Sequence, residues 1–231
     1  MATTATVTNL ASASLFFMCT WLVAIVGAHL RPTGYNFLQN AVSDFGSHPA
    51  SRPFAWAQWL SMSTAAALQT AAGFLLLNAN PELSGLSALA KAKSGLTALG
   101  VFAGARFAII FFPNLVRENP PPGQERTDFR VFLTIVHLLL AVVAFASLPA
   151  ASIQIAEGVQ AAGPLAGLPV YQQSDVLLGL GWTTLGGLVF MVATIWLRRF
   201  DGPKVFGLGE RVYYVTMALW LFAFGALLSQ S

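Results

Sequence analysis

The chain has 231 residues, 56% of them hydrophobic and only 9% charged, against about 25% charged in a soluble protein, which excludes a water-facing globular surface. The net charge of +3 comes from basic residues that punctuate apolar runs rather than forming a stripe, so nucleic-acid binding is not expected. The single cysteine, Cys19, excludes a disulfide framework or a cysteine-based metal site within the chain, and the length favours one domain over residues 1–231.

Crossing about 30 Å of hydrocarbon takes roughly 20 helical residues. Six apolar runs meet that length, at 12–30, 55–78, 94–113, 130–150, 175–197 and 211–230. They lack the polar/apolar alternation of barrel strands, so the predicted fold is all-α, a polytopic membrane protein of about six transmembrane helices in a single bundle. The first run ends near Val26-Gly27-Ala28, which resembles a signal-peptidase site. Met1 to Ser14 carries no Lys or Arg, however, so the run is expected to remain as a helix.

The connection after the first run is patterned. Tyr35, Leu38, Val42 and Phe45 recur at three- and four-residue spacing, while Asn36, Gln39, Asn40 and Ser43 fall on other faces. This predicts a short interfacial helix ended by Gly46, hanging Asn40, Ser43 and Asp44 over the mouth of the bundle.

In the third run Gly100 and Gly104 form a GxxxG pair, read first as tight packing within the monomer and second as a route to a homo-oligomer. Arg106 follows, about two turns before Pro113. A guanidinium in hydrocarbon must be paired, hydrated or snorkelling, which makes it a functional candidate by default. Asn119-Pro120-Pro121-Pro122-Gly123 is a stiff connector. His137 lies about two turns into the fourth run, at a depth similar to Arg106, and His29 closes the first run on the same side. The 151–174 loop, with Glu157 in it, is predicted to hold a short surface helix. In the fifth run Gly179, Thr183, Gly186 and Gly187 offer a small-residue face for close helix approach.

Basic residues set the expected orientation. Connections 31–54, 114–130 and 198–211 hold Arg31, Arg52, Arg117, Arg126, Arg130, Arg198, Arg199, Lys204 and Arg211, while the opposite side holds only Lys91 and Lys93. The first set is expected in the cytoplasm, with both termini outside and the chain in the plasma membrane.

Asp44 is the expected counter-ion of Arg106, with His137 in reach of both, so Asn40, Asp44, Arg106 and His137 are the candidate binding residues. Each has a plainer role open to it. Ser43 and Asp44 can cap or turn their loop, Arg106 can reach lipid phosphate or tie the loop to the bundle, and His137 can hydrogen-bond a neighbouring helix.

The run Leu30-Arg31-Pro32-Thr33-Gly34-Tyr35 through Asn40-Ala41-Val42-Ser43-Asp44-Phe45-Gly46, Arg106 to Phe112-Pro113, His137, and Glu210-Arg211 at the last span together resemble the membrane family called domain of unknown function 998. That resemblance covers nearly the whole chain and implies a small protein of roughly six spans. A more distant resemblance to the Frag1, DRAM and Sfk1 group implies lipid handling. The family often carries an acid shortly after its Phe-Pro pair, whereas this chain reads Phe112-Pro113-Asn114-Leu115-Val116, leaving Glu118 or Asp128 as substitutes.

Four functions are weighed. The first is a non-enzymatic protein that binds membrane lipids or a partner, with Asp44, Arg106 and His137 as a polar knot. The second is an intramembrane lipid hydrolase or transferase with Ser43 as nucleophile, His137 as base (Asp44 being the remaining catalytic candidate) and Arg106 on a phosphate or oxyanion, though no GxSxG elbow is present. The third is a proton-coupled small-molecule carrier through Asp44 and His137, with Asp175 on the far side. A metal or haem site on His29 and His137 is the fourth and least supported. No metal and no cofactor are expected.

Overall fold

In the computed structural model, described at residues 4–30, 86–109, 111–112, 127–162, 169–199 and 205–230, every regular element is a helix. These are α1 (Thr4–His29), α2 (Leu86–Ile109), α3 (Asp128–Ala162), α4 (Pro169–Gln172), α5 (Ser174–Arg199) and α6 (Phe206–Ser229). The predicted second span at 55–78 and the interfacial helix after the first run lie outside the described residues.

Four helices are long and apolar enough to cross a membrane, over Ala5–Ala24, Asp128–Ala161, Ser174–Leu197 and Phe206–Ser229. They correspond to the first, fourth, fifth and sixth predicted spans. The third is helical but is not among the four: α2 begins at Leu86 and so takes in Lys91 and Lys93 as well as Arg106. Six spans are therefore not reached among the described residues. The all-α architecture with apolar, membrane-length helices is, and it makes the chain an integral membrane protein.

Helix ends follow local chemistry. α2 stops at Ile109, a turn before Pro113, and the Phe111 and Phe112 amides donate to the carbonyls of Ala108 and Ile109 at 3.0 and 3.1 Å. The residue before a proline disfavours helical backbone, and tight turns satisfy the last carbonyls. At the start of α3, Thr127 Oγ1 accepts from the Arg130 amide at 3.3 Å, and Asp128 occupies the first turn, where a negative charge suits the helix dipole.

α3 corrects the predicted loop at 151–174. The helix runs through Pro149 to Ala162, and the short helix α4 places Val170 and Tyr171 in the interior rather than on a surface. The residues after Pro149 make that possible, because Ala151, Ser152, Ile155, Ala156 and Val159 are all fully buried. Packing overrides the proline and glycine signals there. Buried outside the spans, the Tyr171 phenol is pushed above its ordinary pKa by desolvation.

Pairs of contacts fix the directions of the helices. α2 runs antiparallel to α3: a Cβ on Gly95 would meet the Ile155 amide nitrogen at 2.7 Å, and one on Gly158 would meet the Ala92 nitrogen at 2.8 Å. α6 runs antiparallel to α1, with Gly225 against Ser14 and Leu15 at one level and Tyr214 against Trp21 at another. α5 opposes both α3, through Gly181 against Ile153 and Asp175 against Gln160, and α6, through Gly187 against Tyr213 and Thr216 and Gly209 against Met191 and Thr194. The ends of α1, α2 and α5 thus share one end of the bundle with the starts of α3 and α6. The core runs between them through Trp21, Phe102, Leu148, Ile155, Tyr213, Trp220 and Phe224.

Two packing expectations are corrected. Gly104 is exposed with nothing close to it among the described residues, and the tight crossing of α2 on α3 is made at Gly95. On α5, Gly179, Thr183 and Gly186 face outward; the inward stripe is Leu177, Gly181, Thr184, Gly187, Met191 and Thr194. Thr184 Oγ1 reaches the carbonyls of Leu180 at 2.9 Å and Thr216 at 3.3 Å. Helices that are apolar all round carry no amphipathic mark of which face turns inward.

Candidate functional site: a polar cluster at one end of the bundle

Arg106 sits in the last turn of α2 and is 3% exposed. Its Nη1 donates to the Tyr214 hydroxyl of α6 at 2.9 Å, and its guanidinium carbon lies 5.5 Å from the centre of that ring. Hydrogen bonding and cation–π attraction both strengthen in a desolvated site. Glu210 lies four residues before Tyr214, on the same face of α6, is 2% exposed, and acts electrostatically on the Tyr214 phenol as Arg106 does. A basic side chain on the Tyr214 hydroxyl and a buried acidic one a turn earlier on the same helix face thus stand at one end of α6. Arg211, also buried, donates from Nη1 to the Gly207 carbonyl at 2.6 Å, satisfying a backbone group within the first turns of α6.

Tyr213 performs the neighbouring task. Pro149 has no N–H, so the Phe145 carbonyl four residues earlier lacks its helical donor. The fully buried Tyr213 donates its hydroxyl to that oxygen at 3.0 Å, the repair by an adjacent helix that a membrane interior demands. The Phe145 ring packs edge-on against both tyrosines, with centroids 5.1 Å from Tyr213 and 6.0 Å from Tyr214. Trp21 of α1 closes the other side, 5.8 Å from Tyr214, and its buried indole nitrogen has no hydrogen-bond partner among the described residues.

His137 of α3 is 6% exposed and places Nδ1 2.8 Å from the Phe112 carbonyl. A carbonyl only accepts, so Nδ1 carries the hydrogen and, in the neutral ring, Nε2 keeps its lone pair. The bond anchors α3 to the turn that ends α2. Arg106, in the last turn of α2, and His137, tied to the turn that follows it, therefore lie at the same end of the bundle.

A sequence model of one protein family, described as "Protein of unknown function (DUF998)", matches residues 13–227. The chain belongs to that family. No curated protein and no solved structure matches it.

Of the candidates read from the sequence of this DUF998 protein, Arg106 and His137 are both buried at one end of the bundle. Asn40, Ser43 and Asp44 lie outside the described residues, and so does the proposed pairing of Asp44 with Arg106. His29 is the last residue of α1. Among the described residues, no three His, Cys, Asp or Glu side chains gather in a metal-binding arrangement.

Tyr213, Tyr214, Glu210 and Trp21 were missed as site residues. α6 starts at Phe206 rather than 211, which draws Glu210 and Arg211 off the expected surface loop and into the bundle. The signal was present in the run Glu210-Arg211-Val212-Tyr213-Tyr214, where polar side chains crowd the start of a span at the same end as Arg106 and His137.

Proposed function

We propose that this chain is a lipid-interacting integral membrane protein of the plasma membrane, without catalytic activity, whose polar cluster lies at the cytoplasmic ends of its helices. The hydrogen bond from Arg106 to Tyr214 carries this reading: the guanidinium joins α2 to α6, and Nδ1 of His137 ties α3 to the end of α2. Groups committed to holding helices together suit a scaffold better than a reaction centre. The outward faces of α3 and α5, with Phe132, Leu139, Val142, Trp182, Val189 and Trp196 exposed, supply apolar area for acyl chains. The excess of basic residues in 31–54, 114–130 and 198–211 supports a cytoplasmic placement of that end, and the resemblance to the Frag1, DRAM and Sfk1 group points to lipids as partners.

The test is thermal unfolding of the purified chain in detergent with defined lipids added singly. A ligand of the native state raises the melting temperature by mass action, so at least one lipid class is expected to raise Tm more than the others. Equal response to every class would overturn the reading.

One observation favours a second reading. With Nδ1 on a carbonyl, His137 offers Nε2 as a base, the form that activation of Ser43 in a lipid hydrolase or transferase requires. Under that reading Ser43→Ala and His137→Asn each abolish lipid turnover by the purified protein; under the first, no turnover depends on either residue.

A further inference from the structure

α3 is divided at Pro149 into two arms that are held differently. Between 150 and 161, Ala151, Ser152, Ile155, Ala156, Gly158 and Val159 are buried. The Gly95 and Gly158 crossings pin this arm to α2, Lys91 pairs with Glu157 at 2.8 Å, and Gln160 donates to Asp175 of α5 at 2.7 Å. Between 128 and 148, by contrast, only His137, Ala144 and Leu148 are buried, and Phe129, Phe132, Ile135, Leu138, Leu139 and Val142 face outward.

The break between the arms is a missing backbone bond. Pro149 cannot donate to the Phe145 carbonyl, and the donor that replaces it comes from another helix. α3 packs chiefly on α2 and α5 and touches α6 little. The Tyr213 hydroxyl therefore reaches across a pair of helices that their backbones scarcely bring together. The Phe145 ring travels with its carbonyl and covers both tyrosines.

We propose that Pro149 is a hinge in α3 and that Tyr213 is the latch that holds the 128–148 arm closed against α6. Release of the Phe145 carbonyl lets this arm swing, carrying with it the turn at Phe112 to which His137 is tied, while the 150–161 arm stays in place. The swing lifts the Phe145 ring from Tyr214 and opens the Arg106–Tyr214 pair sideways toward the membrane. The hinge does not rest on the lipid reading, since it operates with any ligand or none, and the two experiments fail independently.

The test uses the full chain in lipid nanodiscs, carrying Cys19→Ser so that introduced cysteines take spin labels uniquely. One pair of labels, at Leu139 and Leu219, reports the outer arm against α6; a second, at Ala161 and Leu219, reports the anchored arm, all three sites being exposed. Tyr213→Phe is expected to broaden the first distance distribution toward longer values and to leave the second unchanged. Adding Pro149→Ala returns an amide donor to the Phe145 carbonyl, and is expected to restore the narrow distribution. In melting temperature, Tyr213→Phe is expected to cost about 2 to 4 °C beside Pro149, as one net hydrogen bond should, and less beside Pro149→Ala. An unchanged first distribution, equal broadening of both, or no rescue by Pro149→Ala would each overturn the hinge. Should Tyr213→Phe yield no folded protein, Pro149→Ala with the native tyrosine decides: closure of any residual long-distance population is expected and a loss of Tm is not, so a lower Tm with an unchanged distribution overturns it.

Discussion

The two ends of the bundle both carry opposite charges, and they use them differently. At the far end Lys91 and Glu157 form a close ion pair, but their side chains are 51% and 34% exposed, so water competes with the pairing and salt screens it. At the near end Arg106 meets Tyr214 in the interior, with Glu210 buried close by. There the bond matters through what its loss would expose, a guanidinium or phenol with its shell incomplete in a medium that supplies no substitute. Burial, more than distance, decides how much each set of charges contributes to holding its helices.

The largest expected effect is at Arg106. Arg106→Ala strips a buried polar group from its partners and is expected to cost about 3–5 kcal/mol, read as a fall in melting temperature in detergent; Arg106→Lys should recover little, because an ammonium cannot lie over the ring as the planar guanidinium does. A loss below 1 kcal/mol would erase the contrast between the ends. Tyr214→Phe removes one acceptor from the guanidinium and is expected to cost roughly 1.5–3 kcal/mol. His137→Phe leaves the Phe112 carbonyl without its donor, at about 1–3 kcal/mol. Since both bonds join α2 to other helices, hydrogen exchange at the end of α2 should rise in both variants and not at its start.

Gly95→Ala sharpens the comparison at the far end, where backbone proximity rather than charge does the holding. The added methyl meets Ile155 backbone and should cost about 1–3 kcal/mol through overpacking. Gly104→Ala should stay within about 0.5 kcal/mol in the monomer; if it weakens a dimer measured by crosslinking, the outward GxxxG pair is an oligomer contact. A similarly small effect is expected from Lys91→Met, below about 0.5 kcal/mol and vanishing in high salt. A larger loss there would place the exposed pair on a level with the buried one.

Composition and run length were enough to read the helical architecture, and the positions of Arg106 and His137 within consecutive apolar runs were enough to locate both at one end. Both readings depend on gross solvation, which a sequence records residue by residue. The faces of the helices were harder. Gly100 and Gly104 matched a packing motif and Gly95 did not, yet Gly95 makes the crossing, because in a uniformly apolar helix rotation is set by the partner's shape. Pro149 and the small residues after it suggested a loop, and only the tight fit of that arm against α2 keeps it helical. The tyrosines escaped notice because their partners, Phe145 and Arg106, lie far away in sequence on helices that barely touch α6.

Tyr213 and Tyr214 are consecutive, and on an α-helix consecutive side chains diverge by about 100°. One hydroxyl is fastened to α3 and the other to α2, so α6 is held from two directions at a single level, as a shaft is held by a key. A roll about its own axis in either sense would pull at least one phenol from its partner. While both bonds hold, motion transmitted across the membrane therefore travels by bending or sliding of the surrounding helices, with α6 as the fixed axle.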